Sequence, residues 1–198
     1  MKKTIDYYNR QAELFYSETV TADMTAVYRP FLEALIPSAE YILDAGCGSG
    51  RDTKFFLEQG FSVDAFDASE ALCKLAAAYT QIPVKQMTFQ NLKVKNTYDG
   101  IWACASLLHL SRKMLPEAIS HLRDALKNTG VLYMSFKYGT FEGEKNGRYF
   151  TYLTEKTLAQ ILEEGSGTAI KKCWKTGDVR DGREDEQWLN ALIIKCGK

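Results

Sequence analysis

A glycine-rich turn between a predicted strand and a predicted helix carries the clearest chemical signal in the sequence. Gly46, Gly48 and Gly50 follow the apolar segment 41–44 and precede a helical pattern. Because glycine lacks Cβ, the backbone can lie against a ligand, and the next helix presents free N–H groups to a carboxylate or phosphate. Asp67, at the end of the next predicted strand, can accept hydrogen bonds from both hydroxyls of a ribose. These features predict a site for an adenosine-bearing ligand.

The spacing of the glycines separates this site from two other nucleotide-binding loops. Dinucleotide sites use G-x-G-x-x-G, in which the third glycine lets the helix pack closely below a pyrophosphate. Here that third position is Arg51, which disfavours a nicotinamide-dependent oxidoreductase. A P-loop is excluded because no Gly-Lys-Ser or Gly-Lys-Thr follows the glycines.

The sequence resembles the class I S-adenosylmethionine-dependent methyltransferases through Ile42–Gly50, Arg51-Asp52 and the strand end Asp67–Ser69. It is most similar to their tellurite-resistance-type and related small-molecule branch. The resemblance is clearest over residues 40–136. It implies a methyltransferase that binds S-adenosyl-L-methionine, on a sheet of seven strands whose last strand is antiparallel.

By this resemblance, Asp44, Gly46 and Gly48 would hold the methionine part of the cofactor. Asp67 would bind the ribose and Ala68 would lie against the adenine. The complete set of residues predicted to bind the cofactor is Tyr8, Asp44, Gly46, Cys47, Gly48, Arg51, Asp67, Ala68, Asn91, Leu92 and Ala105.

The predicted contact with the adenine amine departs from the family. The family often has an acidic residue after the third strand, where this chain has Gln90-Asn91-Leu92. Asn91 would therefore use its amide oxygen. We expect Ala103–Ser106, at the end of the fourth strand, to line the pocket of the methyl donor.

Residues that could act on the methyl acceptor follow the later strands. His109 is predicted to be a base or an acceptor-orienting donor, the alternative being a histidine bonded to backbone at a helix start. Arg148 lies in the segment 139–150, which reads as a mobile flap, and could recognise an anionic acceptor. The alternative is a solvated loop arginine. By the resemblance, Tyr7 or Tyr8 on an amino-terminal helix would close over the cofactor, the alternative being that Tyr8 packs in the core.

Methyl transfer from a sulfonium is an in-line displacement with a neutral leaving group, so no catalytic triad is required. The compact length of 198 residues favours a small-molecule acceptor, because little chain remains for a dedicated binding module. Two alternatives stay open, methylation of RNA or protein and a non-catalytic protein that binds S-adenosylmethionine.

Apolar spacing divides the chain into alternating strands and helices, which favours a doubly wound, Rossmann-like α/β sheet of about seven strands. We expect a single domain over residues 1–198, with a helical lid at 1–36 and the core at 40–198. The sheet should be mostly parallel and end in an antiparallel C-terminal hairpin. The predicted strands are 41–44, 61–67, 84–89, 98–105, 131–136, 168–176 and 187–196.

Composition narrows the class of protein further. The chain has 25 basic and 25 acidic residues, a balance that argues against strong nucleic-acid binding. No stretch approaches the roughly 18 apolar residues of a membrane span. The 5 cysteines are scattered and never spaced as C-x-x-C, so we predict no metal site and a cytoplasmic location. The expected assembly is a monomer or homodimer.

Overall fold

The structure is a computed structural model that describes residues 2–163, 167–180, 182–183 and 185–195. The strands of these residues are β1 (Tyr41–Ala45), β2 (Ser62–Asp67), β3 (Val84–Gln86), β4 (Tyr98–Ala103), β5 (Leu126–Lys137), β6 (Glu142–Lys145), β7 (Arg148–Thr151), β8 (Thr168–Gly177) and β9 (Gln187–Lys195). The helices are α1 (Lys2–Arg10), α2 (Ala12–Thr19), α3 (Thr25–Ala34), α4 (Arg51–Glu58), α5 (Glu70–Thr80), α6 (Leu115–Ala125) and α7 (Glu155–Glu163). None of these helices is long and apolar enough to cross a membrane.

The central sheet has seven strands in the order β3-β2-β1-β4-β5-β9-β8. Strands β1 to β5 pair in parallel, whereas β9 pairs antiparallel with both β5 and β8. This arrangement confirms the predicted α/β fold with its antiparallel C-terminal hairpin. Position 196, the end of the predicted last strand, lies outside the described residues.

Successive side chains of the strands point to opposite faces of the sheet and contribute to two apolar clusters, one on each face. One cluster holds residues of α6 and α7. The other joins Phe31 of α3 and Phe56 of α4 to Trp102 and Tyr133, whose rings stack with centroids 3.8 Å apart. Helix α3 therefore packs in the core. The other two helices of the region 1–36, predicted as a lid, are α1 and α2, and both lie against α5.

The structure differs from the predicted elements in several places. Apolar spacing predicts one helix over 5–17 and a kink at Pro30, whereas residues 5–17 belong to two helices that meet at Gln11, and Pro30 lies inside the single helix α3. The sequence pattern predicts that helix α6 runs to Gly130, but it ends at Ala125, because Leu126 is fully buried and pairs with Tyr98 of β4. This buried pairing outweighs the helical spacing of the leucine.

The segment 139–150, predicted as a mobile flap, contains most of a β-hairpin. Strands β6 and β7 pair antiparallel in a sheet of their own. Tyr149 of this hairpin donates its backbone N–H to the Thr4 hydroxyl of α1 at 3.0 Å. The amino-terminal helix and the hairpin therefore support each other beside the main sheet.

Candidate functional site

A deep crevice opens at the carboxyl ends of β1 and β4. The chain leaves β1 toward β2 on one side and leaves β4 toward β5 on the other, so the strand order reverses between them. Open α/β sheets bind their ligands at such a switch point. Twelve residues predicted from the sequence line this crevice: Tyr8, Gly46, Cys47, Gly48, Arg51, Asp67, Ala68, Cys104, Ala105, Ser106, His109 and Arg148.

The glycine turn forms the floor of the crevice in a conformation that side chains disfavour. Gly46 and Gly48 have φ of 84° and 55°, in the left-handed region. A Cβ atom on Gly46 would lie 2.4 Å from Cβ of Ser106. The backbone N–H groups of Gly46 and Cys47 both donate to the carbonyl of Phe66 on β2. The turn is therefore held against two neighbouring strand ends, which leaves no room for a side chain at position 46.

Asp67 lies at the end of β2 and faces the glycine turn. One carboxylate oxygen accepts a hydrogen bond from the backbone N–H of Gly48 at 3.0 Å, and the other accepts from that of Ser69 at 2.8 Å. Burial raises the pKa of Asp67, although these backbone bonds oppose the shift. Each carboxylate oxygen has a further lone pair, so the group can still accept from two hydroxyls. Among the described residues Asp67 forms no ion pair.

Asp44 lies beneath the turn and does not reach the crevice. It is buried, and its carboxylate accepts a hydrogen bond of 2.6 Å from the hydroxyl of Thr53 on α4. Burial raises its pKa well above the ordinary value, and the nearby carboxylate of Asp52 adds to the shift. Asp44 thus joins β1 to α4 beneath the turn. Its predicted contact with a cofactor stays a prediction.

Arg51 lines the crevice through a guanidinium group that is held by Asp52. Its Nε and Nη2 donate to the two carboxylate oxygens at 2.6 and 3.0 Å. Asp52 also accepts from the hydroxyl of Tyr28 at 2.6 Å and from Trp102 Nε1 at 2.8 Å. Burial raises the pKa of Asp52, but Arg51 and these donors outweigh it, and the pKa lies below the ordinary value. Three N–H groups of Arg51 remain for a ligand.

Asn91 and Leu92 do not line the crevice. The Asn91 amide oxygen accepts from the hydroxyl of Thr88 at 2.8 Å, and Leu92 is buried in the apolar core. Because β3 ends at Gln86 rather than at position 89, the residues that follow it at the crevice are Met87, Thr88 and Phe89. The predicted adenine contact of Asn91 and the predicted cofactor contact of Leu92 stay predictions, which the lining of this crevice does not support.

The amino-terminal helices cover the turn directly. Phe15 lies so close that a Cβ atom on Gly48 would be 3.0 Å from its ring. The ring of Tyr8 packs against Phe15 with centroids 5.2 Å apart. Asn9 accepts a hydrogen bond of 2.7 Å from the hydroxyl of Ser69 at the start of α5. Helices α1 and α2 therefore close the crevice over the glycine turn, and Tyr8 rather than Tyr7 lines it.

His109 faces the crevice with both ring nitrogens engaged. Nδ1 lies 2.7 Å from the carbonyl of Tyr149, and Nε2 lies 2.9 Å from the hydroxyl of Tyr8. Because a carbonyl only accepts, Nδ1 carries the proton and Nε2 accepts from Tyr8. Burial lowers the pKa of His109 to about 4, so the ring is neutral at neutral pH. His109 positions Tyr8, and its catalytic role stays a prediction.

Arg148 lines the crevice beside this pair. Its guanidinium carbon lies 4.6 Å from the ring centre of Tyr7 and 5.0 Å from that of Phe150. Nη1 donates a long hydrogen bond of 3.4 Å to the hydroxyl of Tyr8, while Nε is buried without a hydrogen-bond partner. The arginine is therefore packed among aromatic rings rather than solvated in a loop.

The far wall comes from the C-terminal hairpin and the end of β5. The carboxylate of Asp178 accepts hydrogen bonds from Nε and Nη2 of Arg180, at 2.9 and 2.7 Å, and from Trp188 Nε1 at 3.0 Å. Lys137 forms an ion pair with Glu186. Sequence reasoning did not find Met87, Ser135, Asp178 or Asn190, which also line the crevice. No sequence motif marks them, because each reaches the site only through the packing of distant segments.

The residues present fit an adenosine-bearing cofactor with an amino-acid tail. Asp67 offers free lone pairs at the strand end, Ala68 and Met87 provide apolar surface beside it, and Arg51 provides N–H donors for a carboxylate. Ala105 adopts a φ of 50° at the end of β4, and its N–H donates to Ser135 at 2.9 Å. Such strained conformations occur often at ligand sites.

Fold and crevice together define an open α/β domain that binds an adenosine-bearing cofactor at its switch point. Residues 42–130 match the family model described as a methyltransferase domain. This matched segment, which is less than half of the chain, is similar to a methyltransferase domain, in agreement with the predicted class I type and with S-adenosylmethionine as the cofactor. The finer assignment to the tellurite-resistance branch stays a prediction.

Two curated relatives share part of the sequence. An uncharacterized methyltransferase of Alkaliphilus oremlandii is 27% identical over 123 residues, which are 62% of this chain and 56% of that protein. A ubiquinone biosynthesis O-methyltransferase of Rickettsia canadensis is 30% identical over 99 residues, 48% of this chain and 41% of that protein. The chain thus spans about half the length of the curated relatives it matches.

The fold is shared with a solved small-molecule methyltransferase. The 1,6-didemethyltoxoflavin-N1-methyltransferase of Burkholderia thailandensis matches with a TM-score of 0.75 over 98% of this chain and 85% of that chain. The two sequences are 20% identical, so the likeness shows the fold alone. That crystal structure contains 1,6-didemethyltoxoflavin and S-adenosylhomocysteine.

Proposed function

We propose that the protein transfers the methyl group of S-adenosylmethionine to a small-molecule acceptor. The observation that carries this proposal is the enclosure of the crevice. Residues of α1 and α2, of the β6–β7 hairpin, and of the C-terminal hairpin line the same crevice as the glycine turn. An acceptor must therefore enter a covered pocket, which favours a small molecule over a folded macromolecule.

Contacts between the covering elements support this enclosure. Thr4 of α1 bonds to Tyr149 of β7, and Tyr8 of α1 bonds to His109 beyond β4. Asn9 joins α1 to the start of α5 through Ser69. The solved methyltransferase of B. thailandensis, which has this fold, holds a small-molecule ligand together with S-adenosylhomocysteine.

The chemistry assigns simple tasks to the residues of this chain. S-adenosylmethionine supplies an electrophilic methyl group whose departure from sulfur leaves a neutral thioether. Asp67 would fix the ribose, the turn at Gly46 and Gly48 would bring backbone against the amino-acid part, and Tyr8 and Phe15 would exclude water. With the cofactor held by these residues, the acceptor nucleophile would take its methyl carbon, and the carbon–sulfur bond would break as the new bond forms. Holding these atoms in line is the main catalytic contribution that this reaction needs.

The ribose contact is tested with Asp67→Asn, which keeps the size of the side chain and removes its charge. Calorimetric titration with S-adenosylmethionine should show an affinity lower by about tenfold or more, since hydrogen bonds to charged groups are worth about 1.5–3 kcal/mol. Asp64→Asn is the matched control, because Asp64 lies on the same strand and bonds to Tyr98 outside the crevice.

Asp67 also holds the glycine turn, so its substitution could weaken binding without any loss of a ribose contact. A second experiment therefore changes the ribose of the ligand. Wild-type protein should bind S-adenosylhomocysteine more tightly than its 3′-deoxy analogue, and Asp67→Asn should lose that preference. An unchanged preference would remove the ribose role. Methyl-labelled S-adenosylmethionine then tests the acceptor class: label in a low-molecular-weight extract supports the proposal, whereas label only in RNA or protein contradicts it.

A further inference from the structure

We propose that the acceptor carries an oxyanion, such as a carboxylate or phosphate, and that Arg148 binds it. This inference rests on the proposed methyl transfer to a small molecule and names the chemical class of that molecule. It follows from the way in which the charges around the crevice are paired. The charged residues that line the crevice are Arg51, Asp52, Asp67, Lys137, Arg148, Asp178, Arg180 and Arg183.

Four of the five cations in this set already have carboxylate partners. Asp52 holds Arg51 and Asp178 holds Arg180, each through two hydrogen bonds. Glu186 pairs with Lys137 and, at 3.8 Å, with Arg183. Arg148 forms no ion pair with any residue that the structure describes. Its positive charge is therefore the one in this set that is left for a ligand.

The described neighbours of Arg148 are mainly aromatic rings, which offer few hydrogen-bond acceptors. Aromatic rings of Tyr7, Tyr8 and Phe150 lie 4.6, 5.8 and 5.0 Å from the guanidinium carbon. Its Nε is buried with no partner, and its one described hydrogen bond is the 3.4 Å contact with the Tyr8 hydroxyl. A buried donor without an acceptor costs free energy unless a ligand supplies one. The planar N–H edge of an arginine matches the two oxygens of a carboxylate or phosphate.

The position of Arg148 separates it from the cofactor contacts. It lies on β7 of the hairpin beyond β5, whereas the ribose-binding Asp67 ends β2 on the other side of the switch point. Tyr8 accepts the long hydrogen bond from Arg148, and the charges of Arg148 and Asp67 shift its pKa in opposite directions. The crevice thus has a negative group on the cofactor side and an unpaired positive group on the acceptor side.

The test uses the small-molecule extract of cells of the source organism, separated on an anion exchanger at neutral pH. Wild-type enzyme and methyl-labelled S-adenosylmethionine should place label in the retained, anionic fraction. With the acceptor from that fraction, Arg148→Gln should raise KM by about 10- to 100-fold, the loss of a charge-assisted pair of bonds. Arg148→Lys keeps the charge but loses the planar edge, so its KM should lie between those of the wild type and Arg148→Gln.

Arg29→Gln is the matched control, because Arg29 is exposed on α3 and pairs with Glu33. It should leave KM unchanged, and Arg148→Gln should keep its affinity for S-adenosylhomocysteine. Label confined to the unretained fraction, or an unchanged KM in Arg148→Gln, overturns the inference while methyl transfer stands. A loss of S-adenosylhomocysteine affinity in Arg148→Gln would make Arg148 a cofactor residue instead. No label in any small-molecule fraction contradicts the proposed function itself.

Discussion

The half-buried, hydrogen-bonded pair of His109 and Tyr8 should make the stability of the protein depend on pH. In the folded chain, burial lowers the pKa of His109 to about 4, while an exposed histidine titrates near 6.5. Between these values the unfolded chain binds a proton that the folded chain does not. Stability is therefore fully present above about pH 6.5 and falls as the pH is lowered toward 4.

The size of this effect follows from the two pKa values. A shift from 6.5 to about 4 corresponds to roughly 3.4 kcal/mol when the pH lies well below both values. By the same relation, the loss is about 2 kcal/mol at pH 5 and about 3 kcal/mol at pH 4. These losses are a large fraction of the free energy of unfolding of an ordinary domain, which is about 5–15 kcal/mol.

The measurement is urea unfolding of wild type and His109→Asn at a series of pH values from neutral to acidic. Asparagine keeps an N–H donor near the carbonyl of Tyr149 and does not titrate. Other titrating groups contribute to both proteins, so the difference in unfolding free energy isolates His109. That difference should shrink by about 2 kcal/mol between neutral pH and pH 5.

A second measurement is independent of unfolding. The chain has 2 histidines, so the ring resonances of His109 and His121 can be assigned with a single His121→Asn variant. A His109 titration near 6.5, or a stability difference that does not change with pH, would refute the buried neutral ring and its bond to Tyr8.

Two further variants test how the crevice is built. Asp52→Ala should destabilise the fold by about 3 kcal/mol in urea unfolding, because Arg51 and Trp102 lose a buried acceptor; a loss as small as that of an exposed pair, below about 1 kcal/mol, would contradict the network. Gly46→Ala should cost about 1–3 kcal/mol more than Gly60→Ala, since both have positive φ but only at Gly46 does the added Cβ meet a neighbour, at 2.4 Å. Equal costs would show that backbone strain alone governs position 46.

Local constraints explain why much of the fold and of the cofactor side could be predicted. The alternation of apolar strands and helices requires a parallel sheet with both faces covered, and its switch point follows from the chain order. Gly46 and Gly48 need positive φ, which side chains disfavour, so the turn is visible in the sequence. Asp67 ends a strand next to that turn, and short-range geometry places it at the crevice.

The ends of strands and the neighbours of individual side chains could not be predicted in the same way. The third strand ends earlier than its residue pattern indicates, and this small change replaces Asn91 by Met87 at the crevice. The segment 139–150 has glycines typical of a loop, yet its pairing into β6 and β7 places Arg148 among aromatic rings. Propensity and spacing describe neighbours along the chain, whereas these outcomes depend on which distant segments pack together.

The sequence by itself determined that this protein has a glycine turn, an acidic strand end and a doubly wound sheet to hold them. Tertiary structure alone decided that Tyr8 and His109, 101 positions apart, share a hydrogen bond, and that Arg148 has no carboxylate among the described residues. The physical reason is the range of the forces: backbone conformation is set by adjacent residues, while burial and charge pairing are set by everything that folds around a side chain.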